Sequence, residues 1–222
     1  MISPPRAPGI SPSPGCWSCQ GCSIGRGASL RVTRNAIEAF PKDRKSFLTP
    51  DPERVAYWKA ELDKLGPQPK VGLLWKSLSL KGDRARQFSP FQLWEPVLKT
   101  QGVTFINLQY GDCEEELAMA KEKFGIEIWQ PPGLDLKQDL DDLTALCAAV
   151  DLIIGFSNAT TNLGGAAGAP LWMLTAPSVW TKLGTDAYPW YPQARVFSPP
   201  ELGQWAPAMA EVAQALAQKI AG

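Results

Sequence analysis

The sequence predicts an α/β fold in which a Rossmann-like parallel sheet carries helices on both faces. From about residue 40 onwards, short apolar segments rich in β-branched residues alternate with segments of helical periodicity. Most of the apolar segments are continuous, as expected of strands that are buried on both sides. Strands that alternate with helices in this way pair in parallel, because each helix crosses over one face of the sheet.

The individual elements follow from local signals. Asp51 and Pro52 begin the first helix as N-cap and first-turn residue, and Ser89 caps the second, in which Pro96 should produce a kink. The glutamates Glu114–Glu116 suit the N-terminus of a third helix. In chain order we predict helix 51–65, strand 70–75, helix 89–100, strand 103–108, helix 113–124, strand 126–129, helix 139–150, strand 151–156, helix 162–168, strand 171–174, strand 195–197 and helix 205–220.

Composition excludes several functional classes. Lys and Arg together number 22, as do Asp and Glu, so no net charge favours nucleic acid or an anionic membrane. No apolar run reaches the roughly 18 residues of a membrane span. The N-terminus lacks the basic and apolar regions of a secretory signal. We therefore expect a cytoplasmic protein with no membrane span and no nucleic-acid partner.

The chain contains no histidine, which removes the commonest general base and the commonest metal ligand. Cys16, Cys19 and Cys22 have C-x2-C-x2-C spacing, but no fourth ligand follows at a usual distance. Their segment, residues 1–38, is rich in Pro, Gly and Ser and lacks hydrophobic periodicity, so we predict that it is disordered. We predict no metal site and no cofactor, and one folded domain over residues 39–222.

The carboxyl ends of the strands meet at one edge of a parallel sheet, where such folds bind ligands. The segments 75–86, 108–112 and 156–162 should converge there. In the third segment, Ser157–Thr161 are small polar residues that follow a strand and begin a helix. Free backbone N–H groups at such a helix start suit a phosphate. The alternative is an ordinary turn with Ser157 or Asn158 as the N-cap.

The other two segments also contain candidate ligand contacts. In 108–112, Gln109 and Tyr110 could touch a sugar or a base, or the tyrosine could pack inward. In 75–86, basic and hydroxyl side chains suit phosphate oxygens, although a solvated basic loop would have the same composition. The residues in question are Lys76, Ser77, Lys81, Arg84 and Arg86.

Aromatic residues are dense in the C-terminal half of the chain. They could stack on a base or a sugar ring, or they could belong to the core or to an interdomain surface. The residues are Trp172, Trp180, Tyr188, Trp190 and Tyr191.

An ordered set of segments resembles bacterial GT-B glycosyltransferases of families 9 and 41, of the type fused to tetratricopeptide repeats, some of which are tied to flagellin glycosylation. The resemblance covers about residues 40–215. It rests on KVGLLWKS at 70–77, DRAR at 83–86, LQYG at 108–111, residues 139–152, NLGGAAGAPLW at 162–172, PWYP at 189–192 and RVF at 195–197.

The resemblance implies the C-terminal, donor-binding Rossmann-like domain of such an enzyme, which binds a nucleotide-sugar for transfer to a protein or glycan acceptor. It implies that Ser77, Arg86 and the 157–161 turn contact the nucleotide and its phosphate. The family usually has Asp-Thr-x-x-Ala-His in this turn, whereas this chain has Ser157, Asn158, Thr161 and Asn162 at the matching positions. The full predicted site is Lys76, Ser77, Arg84, Arg86, Gln109, Tyr110, Ser157, Asn158, Ala159, Thr160, Thr161 and Asn162.

A GT-B enzyme also has an acceptor domain, which the resemblance places before residue 40. The Pro- and Gly-rich residues there cannot form that domain, so we expect this chain to be half of an enzyme. The alternative is a non-catalytic Rossmann-like binding or scaffold module.

Overall fold

A parallel sheet forms the centre of the fold, as the sequence predicts, with five strands instead of the six predicted. The computed structural model describes residues 37, 40, 42–43, 46–78 and 82–222. The predicted disorder of residues 1–38, the three N-terminal cysteines and Lys81 therefore lie outside the described residues, apart from Ile37. The strands are β1 (Lys70–Leu74), β2 (Thr104–Asn107), β3 (Leu152–Phe156), β4 (Leu171–Leu174) and β5 (Ala194–Phe197).

The strands lie in the order β2-β1-β3-β4-β5, and all neighbours are parallel. The predicted strand 126–129 is reduced to a single bridge, between Trp129 and Ile106 at the outer edge of β2. Pro131 and Pro132 follow after Gln130 and have no N–H to donate, so the pairing cannot continue beyond Trp129. With this bridge counted as an edge position, the strand order is that of the Rossmann fold.

Six α-helices connect and flank the strands within the described residues. Near the first, the side chain of Asp51 accepts a hydrogen bond from Glu53 N at 2.9 Å, which confirms it as an N-cap. The helices are α1 (Pro52–Asp63), α2 (Glu95–Leu98), α3 (Glu114–Phe124), α4 (Leu140–Ala149), α5 (Ala159–Ala166) and α6 (Trp205–Ala221).

The prediction of one continuous helix over residues 89–100 is wrong. A 3-10 segment, Phe91–Trp94, precedes the single turn of α2. Ser89 does not cap a helix, because its hydroxyl donates to Pro90 O. Pro96 lies in the first turn of α2, where its missing N–H costs no hydrogen bond, and so the expected mid-helix kink does not arise.

Two apolar cores cover the two faces of the sheet. Side chains that alternate along each strand reach opposite faces: Leu152 and Ile154 of β3 join one core, and Ile153 joins the other. The first core is closed by α2, α3 and α6, and the second by α1, α4 and α5. Of the described helices, none is both long enough and apolar enough to traverse a bilayer.

Helix α5 approaches the sheet unusually closely. A Cβ at Gly164 would lie 2.4 Å from Ile153 Cδ1, and a Cβ at Gly165 would lie 2.7 Å from the Tyr191 ring. The Tyr191 ring leaves no room for a side chain at position 165, whereas the Ile153 Cδ1 atom that faces Gly164 is the end of a flexible side chain and could shift. This close packing sets where α5 begins relative to the carboxyl end of β3.

Candidate functional site

The strand order creates a crevice at the carboxyl edge of the sheet. From β1 the chain crosses to β2 on one side, and from β3 it crosses to β4 on the other. The loops that follow β1 and β3 therefore diverge, and they leave open the space in which sheets of this type bind ligands.

An open cleft of about 510 Å³ lies at this edge of the sheet, mainly between the ends of β3 and β4. It lies between residues that follow β1, the end of β3 and the loop after β4. None of its lining residues carries a charged side chain. They are Gln87, Phe88, Phe156, Ser157, Leu174, Thr175, Ala176, Ser178, Val179, Trp180 and Thr181.

Helix α5 begins immediately beyond the cleft wall, with Asn158 as its N-cap. The Asn158 Oδ1 accepts from Thr161 N at 3.3 Å, and Thr161 Oγ1 accepts from Asn158 N at 3.0 Å. The Thr161 hydroxyl also donates to Phe156 O at 2.7 Å, which ties the helix start to the end of β3. These reciprocal bonds form a capping box that fixes the direction of the first turn.

Three donors at this helix start remain without an acceptor among the described residues. Two are the backbone N–H groups of Ala159 and Thr160, which no residue of the helix can satisfy. The third is Asn158 Nδ2, which is shielded from solvent and has no hydrogen-bond partner. Ala159 is exposed, so water can reach its N–H, whereas Thr160 and Asn158 Nδ2 are buried. Unsatisfied buried donors are rare in folded proteins, and a ligand oxygen is one way to satisfy them.

A chain of hydrogen bonds connects the other polar residues of the turn. Ser157 Oγ lies 3.0 Å from the Tyr188 hydroxyl, which donates to Asn162 Oδ1 at 3.4 Å. Asn162 Nδ2 in turn donates to Asn158 O at 2.6 Å. Burial and the neighbouring Tyr188 raise the pKa of Tyr191, which stacks on Tyr188. The hydrogen bonds of Ser157, Tyr188 and Asn162 hold the turn in place, and no carboxylate, amine or imidazole belongs to this chain of bonds.

The basic loop after β1 is largely engaged in internal contacts. Lys76 Nζ lies 2.6 Å from Glu116 Oε1 in a mostly buried ion pair. Ser77 is buried and accepts from Arg84 at 3.3 Å. Arg86 donates to Leu202 O at 3.1 Å, beside a separate hollow of about 470 Å³.

Gln109 joins the loops that follow β1 and β2. Its Oε1 accepts from Trp75 N at 3.1 Å and from Lys76 N at 2.9 Å, and its Nε2 donates to Tyr110 O at 2.8 Å. Tyr110 is partly buried and packs against the first core. Their structural surroundings therefore match the inward-packing alternative, and a contact between either residue and a ligand stays a prediction.

The three predicted segments thus reach the same edge of the sheet, but of the full predicted site only Ser157 lies on the lining of the cleft, together with Trp180 from the aromatic candidates. Sequence analysis missed Gln87, Phe88 and most of the loop 174–181. The available signal was the position of that loop after β4, because it lies at the same edge as the loop after β3. Among the described residues, no group of three His, Cys, Asp or Glu side chains is arranged to hold a metal ion.

Comparisons with known proteins give one sequence relative and several structural ones. No protein-family model matches the chain. Protein FlbA of Caulobacter vibrioides is 67% identical over 190 residues, which are 86% of this chain and 32% of FlbA. The chain thus spans about a third of the length of this relative.

A glycosyl transferase family 9 structure from Veillonella parvula superposes with a TM-score of 0.51 at 17% identity, over 68% of this chain and 42% of that one. The ADP-heptose heptosyltransferase II of E. coli superposes at 0.49 with 15% identity, over 76% of this chain and 54% of that one. The chain has the Rossmann-like α/β fold found in GT-B glycosyltransferases.

Proposed function

We propose that this domain binds a nucleotide-sugar as the donor-binding part of a glycosyltransferase, for transfer to a protein or glycan acceptor. The observation that carries the proposal is the start of α5, where Ala159 N, Thr160 N and Asn158 Nδ2 lack acceptors among the described residues. A phosphate of the donor supplies oxygens to these three donors.

The surroundings of α5 favour an anion there. The first turn of α5 contains no acidic residue, and no carboxylate lines the adjoining cleft. The partial positive charge of the helix N-terminus is therefore not offset by negative side chains at that point. The cleft extends from Ser157 to the loop after β4 and has room for the rest of the donor.

The contribution of this site is electrostatic rather than acid–base. Ser157, Tyr188 and Asn162 form a hydrogen-bonded chain that contains no carboxylate, amine or imidazole. Donors that are already aimed at the phosphate stabilise the negative charge that develops as the sugar leaves. We propose that the base that activates the acceptor comes from outside the described domain.

The first experiment measures the thermal stability of the full chain with UDP, GDP, ADP, CMP and TDP. Binding at 100 times the dissociation constant should stabilise the fold by about 2.7 kcal/mol. A cooperative melt that no nucleotide shifts would contradict the proposal.

The variant Asn158→Asp sharpens this test. Asp keeps the oxygen that caps α5 but replaces the Nδ2 donor with negative charge, so nucleotide affinity should fall about tenfold or more while stability is retained. Asp51→Ala is the matched control, because it removes the cap of the distant helix α1. It should cost about 1 kcal/mol of stability and leave nucleotide affinity unchanged.

A further inference from the structure

The side chain of Trp180 is 76% exposed, the most exposed large apolar side chain in the described part of the chain. It also lines the cleft beside α5. An exposed indole forgoes the favourable free energy of burying a large apolar surface. Its exposure in a cleft therefore points to a ligand or partner that covers it.

The backbone presents Trp180 in a defined turn. Trp180–Lys182 is a 3-10 segment that ends at Leu183, with Lys182 N bonded to Val179 O at 3.2 Å. Leu183 has φ +50° and is the one non-glycine residue with positive φ among the described residues. A leucine in this region is strained and persists because the surrounding structure fixes it, so the turn has a specified shape.

Other aromatic residues support the indole from behind. The Trp190 ring lies 6.3 Å from the Trp180 ring at an interplanar angle of 75°. Trp190 is itself held, because its Nε1 donates to Thr181 O at 2.9 Å and Phe40 packs edge-on against it at 5.2 Å. Trp180 is therefore supported on one side and open on the other.

The rest of the cleft offers hydrogen bonds without charge. Hydroxyls of Ser157, Thr175, Ser178 and Thr181 and the amide of Gln87 belong to its lining. A flat aromatic face beside neutral polar groups matches a ring with an apolar face and a polar edge, which describes both a nucleobase and a sugar.

We infer that Trp180 is a specificity-determining residue that stacks on a ring of the donor while a donor phosphate lies at α5. This inference rests on the proposed function, because it assumes that the cleft holds a nucleotide-sugar. Either ring of the donor, the nucleobase or the sugar, presents the face that the indole requires.

The test uses the full chain and calorimetric titration with the nucleotide that the wild type binds, with the nucleotide-sugars built on that nucleotide, and with inorganic pyrophosphate. Trp180→Ala should weaken binding of a stacked ring about five- to hundredfold, and Trp180→Phe should retain most of it. Pyrophosphate has no ring, so its affinity should not change. Tyr57→Ala is the control, since Tyr57 is a 51% exposed aromatic on α1, outside the cleft lining.

The outcomes separate the two proposals. A loss with the free nucleotide assigns the nucleobase to Trp180, and a loss confined to nucleotide-sugars assigns the sugar. If the wild type binds nucleotide and Trp180→Ala binds every ligand as tightly, this inference is overturned while the proposed function stands. If the wild type binds no nucleotide or nucleotide-sugar, both are overturned.

Discussion

The two halves of the carboxyl edge of the sheet differ in whether their polar groups have hydrogen-bond partners. Beside β1 and β2, Lys76 is paired with Glu116 at 2.6 Å, and the Gln109 carboxamide bonds the backbone of both loops. Beside β3 and β4, the start of α5 has three donors without an acceptor among the described residues, and neutral hydroxyls line an open cleft.

If the anion site lies at α5, as the proposed function requires, then positive charge by itself does not locate it. The β1 loop carries the basic side chains, but the ammonium of Lys76 is already neutralised, and recruiting it would leave the Glu116 carboxylate unpaired. The α5 start carries no formal charge, but its three donors have no acceptor among the described residues. The availability of its donors distinguishes the α5 start from Lys76, whereas Arg84 and Arg86 are exposed and each make a single hydrogen bond among the described residues.

The largest expected effect comes from breaking the α5 cap. Thr161→Val keeps the shape of a fully buried side chain but removes the bonds to Asn158 N and Phe156 O. We expect a loss of about 2 kcal/mol in the free energy of unfolding, measured in urea, because buried polar groups lose their partners. The thermal shift that nucleotides produce should also shrink.

Thr144→Val is the matched control for this change. Thr144 is a buried threonine of α4 whose hydroxyl donates to Leu140 O, a carbonyl of its own helix, at 2.6 Å. Losing this local bond should cost at most about 0.5 kcal/mol. Equal losses in the two variants would mean that the capping box does not specially stabilise the β3 half.

The next largest effect concerns the half beside β1 and β2, where the polar groups are paired. Lys76→Met leaves Glu116 without its partner and should lower the free energy of unfolding by about 1–2 kcal/mol, while nucleotide affinity stays within about twofold. Lys99→Met is the control, since the Lys99–Glu95 pair has the same 2.6 Å separation but its side chains are 52% and 43% exposed, against 23% and 18%.

The exposed pair should contribute below about 0.5 kcal/mol. A tenfold loss of nucleotide affinity in Lys76→Met, with little change in stability, would instead place the β1 loop in the binding site, as the sequence predicts.

The smallest effect concerns the thiols beneath the two halves. Burial raises the pKa of Cys147, on α4 behind α5, from 9.0 to about 12. The unfolded thiol therefore ionises first, so the stability from this group is complete below pH 9 and is lost as the pH rises towards 12. Between pH 8 and pH 10 the expected loss is about 1 kcal/mol.

Cys113, at the start of α3 in the other half, provides the comparison. Burial also raises its pKa, and the charges of Glu116 and Asp112 add to this shift, but the hydrogen bond from Asn107 and the charge of Lys76 oppose it. The decrease of the unfolding free energy between pH 8 and pH 10 should therefore be reduced more by Cys147→Ala than by Cys113→Ala. A larger reduction in Cys113→Ala would show that the Cys113 thiol is more shielded from water than the Cys147 thiol.

Much of the fold could be predicted from the sequence because its signals are local. The continuous apolar strands and the Asp51 cap were correctly placed, since each depends on neighbouring residues. The form of segment 89–100 was not correctly predicted. Ser89 and Pro90 resemble a helix start, but Phe91–Trp94 is a 3-10 segment whose Phe91 and Trp94 pack in the first core. The predicted strand 126–129 needed to pair with β2 along its length, but Trp129 is its one residue that forms a bridge to β2.

For the candidate site, the sequence by itself determined the α/β class and the polar turn at residues 157–162, with Asn158 among its two possible caps. The tertiary structure decided which polar groups stay free. Lys76 and Glu116 are 40 residues apart, and their pairing depends on β2 lying beside β1. The cleft likewise needs β4 beside β3 to bring Trp180 near Ser157. Local spacing specifies a helix cap, but contacts between distant residues follow from the order of the strands.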